Sequence, residues 1–204
     1  MKTDMIGGHK LDLNNAKEIL GEKFSFTAED THKVIQELDL PKDAKILDVG
    51  TGIGSLAITL AINGYRVLTG EPADDASAYA KQNWQENARK VQVDQLIEFK
   101  AFDAADMPFG DKSFDAIFSL GTFHHIEESN RLVVLQEFVR TTRPDGMICF
   151  FEPNGNAVRM IRKSDPSHPD AGNPSLYAHG LNLTSRIVEG TNFDAFVFQK
   201  PGAS

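Results

Sequence analysis

Four acids, three glycines and a histidine pair carry most of the chemistry legible in this 204-residue chain. Asp48, Gly50, Gly52 and Gly54 fall in the run D-V-G-T-G-I-G. Glycine there removes side chains where the backbone must turn sharply or lie against a flat ligand. A dinucleotide fingerprint reads G-x-G-x-x-G and seats a pyrophosphate on backbone N–H groups at a helix N-terminus. Here the third glycine comes one place early, and Ser55 stands where that fingerprint needs glycine. Asp48, two residues before the first glycine, would repel a pyrophosphate but suits a ligand carrying positive charge. Glu71 follows the loop by about 20 positions, at the end of an apolar run, from where a carboxylate can accept hydrogen bonds from both hydroxyls of a ribose. Asp103 ends another run and suits the exocyclic amine of a base, with Asp106 as second choice. Neighbours in sequence, His124 and His125 are expected to point to different sides of their element. Two imidazoles without a matching carboxylate or cysteine make an incomplete ligand set, so no metal is expected. His124 is the first candidate for a catalytic general base, needed only where the reacting group arrives protonated.

The elements that must position these residues follow from periodicity. Ile46, Leu47 and Val49 suit a strand covered on both faces, and Leu56, Ile58, Leu60 and Ile62, mixed with Ala57 and Ala61, suit a nearly buried helix. Strand, glycine turn and helix in that order cradle a nucleotide, because ligands of open α/β sheets sit beyond the carboxyl ends of the strands. Further strands are expected over Tyr65–Gly70, Ile97–Ala101, Phe114–Leu120 and Met147–Phe151. Ser185–Glu189 and Phe193–Gln199 read as a hairpin about Gly190-Thr191-Asn192. Helices are expected over Asn15–Leu20, from an N-cap at Thr27 to Pro41, over Asp75–Ala88 with Tyr79 and Trp84 facing the core, over Arg131–Thr142 and over Asn156–Lys163. Pro144-Asp145-Gly146 reads as a turn. The N-terminal helices are expected to cover a sheet edge rather than bring Phe24 and Phe26 over a ligand. Glu152 reads as a surface salt-bridge acid ahead of a candidate contact to a bound molecule, and the Ser164–Pro174 segment as a loop without assigned chemistry.

Length suits one α/β domain with a core of its own. A net charge of −8 argues against a general binder of nucleic-acid backbones. The single cysteine, Cys149, lies in the apolar run M-I-C-F-F and is expected as a buried reduced thiol. The chain shows neither a leader-like opening nor a run of membrane-spanning length, so no membrane insertion and a cytoplasmic location are expected.

The pattern D-x-G-x-G-x-G resembles motif I of the class I S-adenosylmethionine (SAM) dependent methyltransferases. The likeness extends in family order from Leu38 to Lys200 and includes the R-P-x-G turn at Arg143–Gly146 and the strand ending in Glu152-Pro153. Type 11 small-molecule enzymes are the similar branch. The resemblance implies a Rossmann-like α/β fold: an open sheet of about seven strands, mostly parallel with an antiparallel C-terminal hairpin, and helices on both faces. It implies an N-terminal helical cap over residues 1–40 and a SAM-binding domain over 41–204. Methyl transfer from SAM would leave S-adenosylhomocysteine, and the acceptor would be a small molecule. By the same resemblance Asp48 holds the amino-acid end of SAM; Gly50, Thr51, Gly52 and Gly54 approach the methionine and ribose. Glu71 fixes the ribose, Asp103 and Ala104 read adenine, and Leu120 with the segment after it lies beside the methionine and the acceptor. A homodimer is compatible with the sequence. Open alternatives are a nicotinamide-dependent oxidoreductase, a non-catalytic SAM-binding or interaction protein, and use of another aminoalkyl donor.

Overall fold

The computed structural model describes residues 12–74 and 82–202. Two helices, α1 (Leu13–Leu20) and α2 (Glu22–Leu38), precede β1 (Ile46–Val49), α3 (Ser55–Ile62), β2 (Val67–Gly70), α4 (Trp84–Lys90), β3 (Ile97–Phe99) and β4 (Phe114–Leu120). Then come α5 (Glu128–Thr141), β5 (Thr142–Pro153), α6 (Gly155–Ile161), β6 (Thr184–Val188) and β7 (Phe193–Gln199). The strands form one sheet in the order β3-β2-β1-β4-β5-β7-β6. Neighbours are parallel from β3 through β5, and β7 pairs antiparallel with both β5 and β6. The seven-stranded mixed sheet is the expected one.

Successive residues along the strands feed two cores, as the two-residue side-chain period requires. Ile46, Ala116, Phe118, Cys149, Phe151, Ala195 and Val197 pack toward α1–α4, while Leu47, Ile117, Ile148, Phe150, Phe196 and Phe198 pack toward α5. Leu13, Phe24, Val34 and Ile35 of the N-terminal helices belong to the first of these cores, so α1 and α2 cover the sheet as part of its own interior. Phe24 is buried there, and Phe26 meets Phe193 edge-on at 5.7 Å. Cys149 is fully buried, and that burial pushes its thiol far up in pKa.

Local differences from expectation have identifiable causes. Thr27 lies inside α2, its hydroxyl donating to the carbonyl of Phe24 at 3.2 Å; the N-cap position of α2 is Gly21, which makes no side-chain cap, whereas α1 is capped by Asp12, which accepts from Asn15 N at 2.9 Å. Residues 75–81, with Tyr79, lie outside the described residues; Gln82 and Asn83 are not helical, and α4 begins at Trp84 and runs to Lys90. The expected turn at Pro144–Gly146 is a bulge within β5, where Asp145 takes φ +61° and the register against β4 shifts.

One buried acid joins the N-terminal helices to the hairpin. Asp30 of α2 accepts backbone N–H groups of Thr191 (2.8 Å), Asn192 (2.8 Å) and Phe193 (3.0 Å) in the β6–β7 turn. Asp30→Ala would strand three donors, and we expect unfolding in urea to show a loss of about 2–4 kcal/mol.

Candidate functional site

Between β1 and β4 the strand order reverses direction, which opens a crevice at the carboxyl end of the sheet. The loop from β1 to α3 lies there, with Gly50, Gly52 and Gly54 at φ +94°, +50° and +85°. Gly50 is also squeezed: a Cβ on it would sit 2.2 Å from Oγ1 of Thr122, in the segment leaving β4. Gly50 N donates to Gly70 O at 2.8 Å, and Asn87 of α4 donates to Ile53 O at 3.0 Å, so neighbouring elements hold the loop on both sides.

Asp48 is fully buried beneath this loop. Its Oδ2 accepts from Thr69 Oγ1 at 2.8 Å; Thr51 Oγ1 lies 2.9 Å from Thr69 Oγ1 and, with the Thr69 proton already used, must be the donor. The other carboxylate oxygen, Oδ1, has no hydrogen-bond partner among the described residues. Burial, reinforced by the charge of Glu71 and opposed by the Thr69 hydrogen bond, pushes the Asp48 carboxyl up to about 8. Glu71, buried at the end of β2, accepts Gly52 N at 3.0 Å and is thereby turned to the loop.

Asp103 and Ala104 follow β3 at the same edge, where Phe102 N donates to Glu71 O at 3.2 Å. Asp103 is exposed and turns one oxygen to Ala105 N at 2.8 Å; Asp106 bridges back to it. Leu120 ends β4 half-buried, and Gly121 N donates to Phe151 O at 2.7 Å. The fold thus gathers Asp48, Gly50, Thr51, Gly52, Gly54, Glu71, Asp103, Ala104 and Leu120 at one end of the sheet.

His124 and His125 occupy a single 3-10 turn, Phe123–His125. Here the structure corrects the sequence reading twice. The two rings do not diverge: their centroids are 4.1 Å apart, because a 3-10 turn sets neighbours about 120° apart rather than on the opposite faces of a strand. Nor is Glu152 a surface acid. It is 1% exposed, accepts Phe123 N at 3.0 Å through Oε1, and through Oε2 meets His124 Nδ1 at 2.7 Å and Gly172 N at 3.2 Å. A carboxylate only accepts when ionised, so it fixes the tautomer with Nδ1–H as donor and leaves Nε2 with the lone pair.

An open groove of about 590 Å³ between α1, α2 and the end of α3 lies near Asn63 and Tyr65, away from the glycine loop.

The model of the methyltransferase domain family matches residues 47–150, just over half of the chain. The chain belongs to this family. It is 30% identical over 133 residues to the demethylmenaquinone methyltransferase of Clavibacter sepedonicus, covering 65% of this chain and 50% of that one. To the 27-O-demethylrifamycin SV methyltransferase of Amycolatopsis mediterranei it is 29% identical over 118 residues, 58% of this chain and 42% of the relative. The chain thus spans about half the length of the curated relatives it matches. Among solved structures, a SAM-dependent methyltransferase from Methanococcus maripaludis superposes with a TM-score of 0.69 at 18% identity, covering 99% of both chains. One from Aquifex aeolicus gives 0.63 at 21% identity over 92% of this chain and 98% of that one. SAM is the cofactor this family implies, and the residues of this methyltransferase domain fit it. Oδ1 of Asp48, buried and without a hydrogen-bond partner among the described residues, suits an ammonium.

The sequence could not single out Thr69, Asn87 or His168: Thr69 and Asn87 act through partners distant in the chain, and His168 lies in an irregular loop.

Proposed function

We propose that this protein transfers the methyl group of SAM to a small-molecule acceptor. The observation that carries the reading is Asp48, a carboxylate beneath a glycine loop whose spacing does not suit a pyrophosphate, with one buried oxygen awaiting a donor. When bound, SAM supplies a methyl on a sulfonium, already activated for in-line displacement. What remains for the protein is alignment and exclusion of water. In this reading Asp48 holds the amino-acid end, the Gly50–Gly54 backbone lies along the methionine and ribose, Glu71 accepts from the ribose hydroxyls, and Asp103 with Ala104 reads adenine. Leu120 and the segment after it border the acceptor. There His124, its Nδ1–H held by Glu152, presents Nε2 as the base for a hydroxyl acceptor. Both curated relatives above are named for small organic molecules, which supports that acceptor class.

Calorimetry with SAM and S-adenosylhomocysteine tests the reading, with NADH as control. Micromolar binding of both is expected. Glu71→Ala and Asp103→Ala should each weaken it by about 1–3 kcal/mol, roughly 5- to 150-fold, the cost of removing a hydrogen-bond partner. A folded protein that binds neither, or that prefers NADH, would overturn the proposal.

A further inference from the structure

The loop after α6 brings a third histidine to the pair. His168 is 4% exposed, and its ring centroid lies 5.0 Å from that of His124 and 5.4 Å from that of His125. One ring nitrogen from each of the three falls within 4.8 Å of the others. In two of the rings hydrogen bonding identifies the nitrogen that keeps a lone pair. His124 gives Nδ1–H to Glu152, and its Nε2 is buried with no partner among the described residues. The Nδ1 of His168 lies 2.9 Å from Pro169 O; a carbonyl can only accept, so here too Nε2 keeps the lone pair. A carboxylate or carbonyl behind each imidazole is the arrangement that fixes tautomer and ring direction in metal centres.

The backbones that carry these rings are also tied down. Arg131 donates to His124 O at 3.2 Å, and Arg162 donates to His168 O at 2.9 Å. Gly172 N binds the same Glu152 oxygen as His124, and a Cβ at Gly172 would stand 3.0 Å from that oxygen, so the loop carrying His168 is docked closely on the acid. His125 is exposed and completes the trio from the solvent side.

We infer that His124, His125 and His168 form a binding site for one divalent transition-metal cation of the zinc class, with Glu152 as its supporting carboxylate. Three neutral imidazoles are a ligand set for such borderline ions and leave a coordination position open. Tetrahedral binding at about 2.0–2.1 Å brings nitrogens to about 3.4 Å from one another, so a bound cation draws the three rings together from the 4.8 Å within which their nitrogens lie. The base role proposed for His124 belongs to the metal-free protein, since a cation takes the same lone pair. If the methyl-transfer reading holds, the open position lies on the acceptor side and would take an oxygen or sulfur donor of the acceptor. The cation site itself does not depend on that reading.

The test uses tag-free full-length protein stripped with a chelator. Zn²⁺ is titrated against a chromophoric competitor, and Co²⁺ is followed by its visible d–d bands. One equivalent of tight binding is expected, with His168→Ala and His125→Ala each weakening it at least tenfold and Glu152→Gln by about 10–100-fold. Circular dichroism on each variant separates loss of ligand from loss of fold. Absence of stoichiometric binding, or binding that His168→Ala and His125→Ala both leave intact, would overturn the site. SAM affinity measured on the same stripped protein reports on the methyl-transfer reading separately.

Discussion

A protein carrying Gly50→Ala is expected to bind SAM at least about 100-fold more weakly than wild type, a loss of about 2.7 kcal/mol. Two costs fall on the same atom. At φ +94° any Cβ meets its own backbone, at about 1–2 kcal/mol, and this Cβ would also sit 2.2 Å from Thr122 Oγ1. Thr122 is held in turn, donating to Leu120 O at 3.2 Å, so relief must come from moving the glycine loop off the end of β4. The displaced loop then carries Gly52 N away from Glu71 and uncovers Asp48 together. The double variant Gly50→Ala/Thr122→Ala separates the two costs. Removing Oγ1 and Cγ2 lifts the clash but not the backbone strain, so it should recover about 1–3 kcal/mol of the lost binding in a double-mutant cycle. No recovery would place the whole effect in the backbone, and unchanged binding by Gly50→Ala alone would remove this contact from the account of the site.

Why the glycine loop was legible while the histidine cluster was not is a matter of chain distance. Asp48 and Gly50–Gly54 are consecutive, and their chemistry is set by a turn that one short run encodes. The placement of Glu71 and Asp103 at one end of the sheet was legible for a related reason: each follows a strand, and the carboxyl ends of neighbouring parallel strands lie together. Glu152 ends a strand too, but whether such an acid is buried depends on what covers it. The cover comes from Phe123 and Gly172, both at least 20 residues away. His168 sits in an irregular segment rich in proline and aspartate, with no periodicity to show which way it faces. The adjacent histidines misled because divergence of neighbours is a rule of extended strands, and this pair lies in a 3-10 turn. The misplaced cap at Thr27 has a similar origin: a favourable local signal lost to a helix already begun at Glu22, whose buried face continues through Phe24 and Ala28 into the core.

Asp48 makes a second large effect, read as a function of pH. Its carboxyl titrates near 8 in the folded protein, against about 3.9 in an unfolded chain. Between those values the folded state holds a proton that the unfolded state lacks. Stability of the SAM-free protein is therefore highest below the lower value and falls as pH rises toward the upper one, whereas Asp48→Asn should flatten that slope. Binding runs the opposite way. An ammonium beside Oδ1 favours the carboxylate, so the complex forms with release of the proton, and SAM affinity should climb with pH by up to about tenfold per unit until it levels near 8. Calorimetry in two buffers of different ionisation enthalpy would read the released proton directly at about pH 7. Asp48→Asn keeps the shape and the hydrogen bond from Thr69 but has no proton to lose, so its affinity should match wild type at about pH 6 and fall behind it at about pH 8. Equal affinities for the two proteins across that range, with no proton released by wild type, would mean that the amino-acid end of SAM is held without the charge of Asp48.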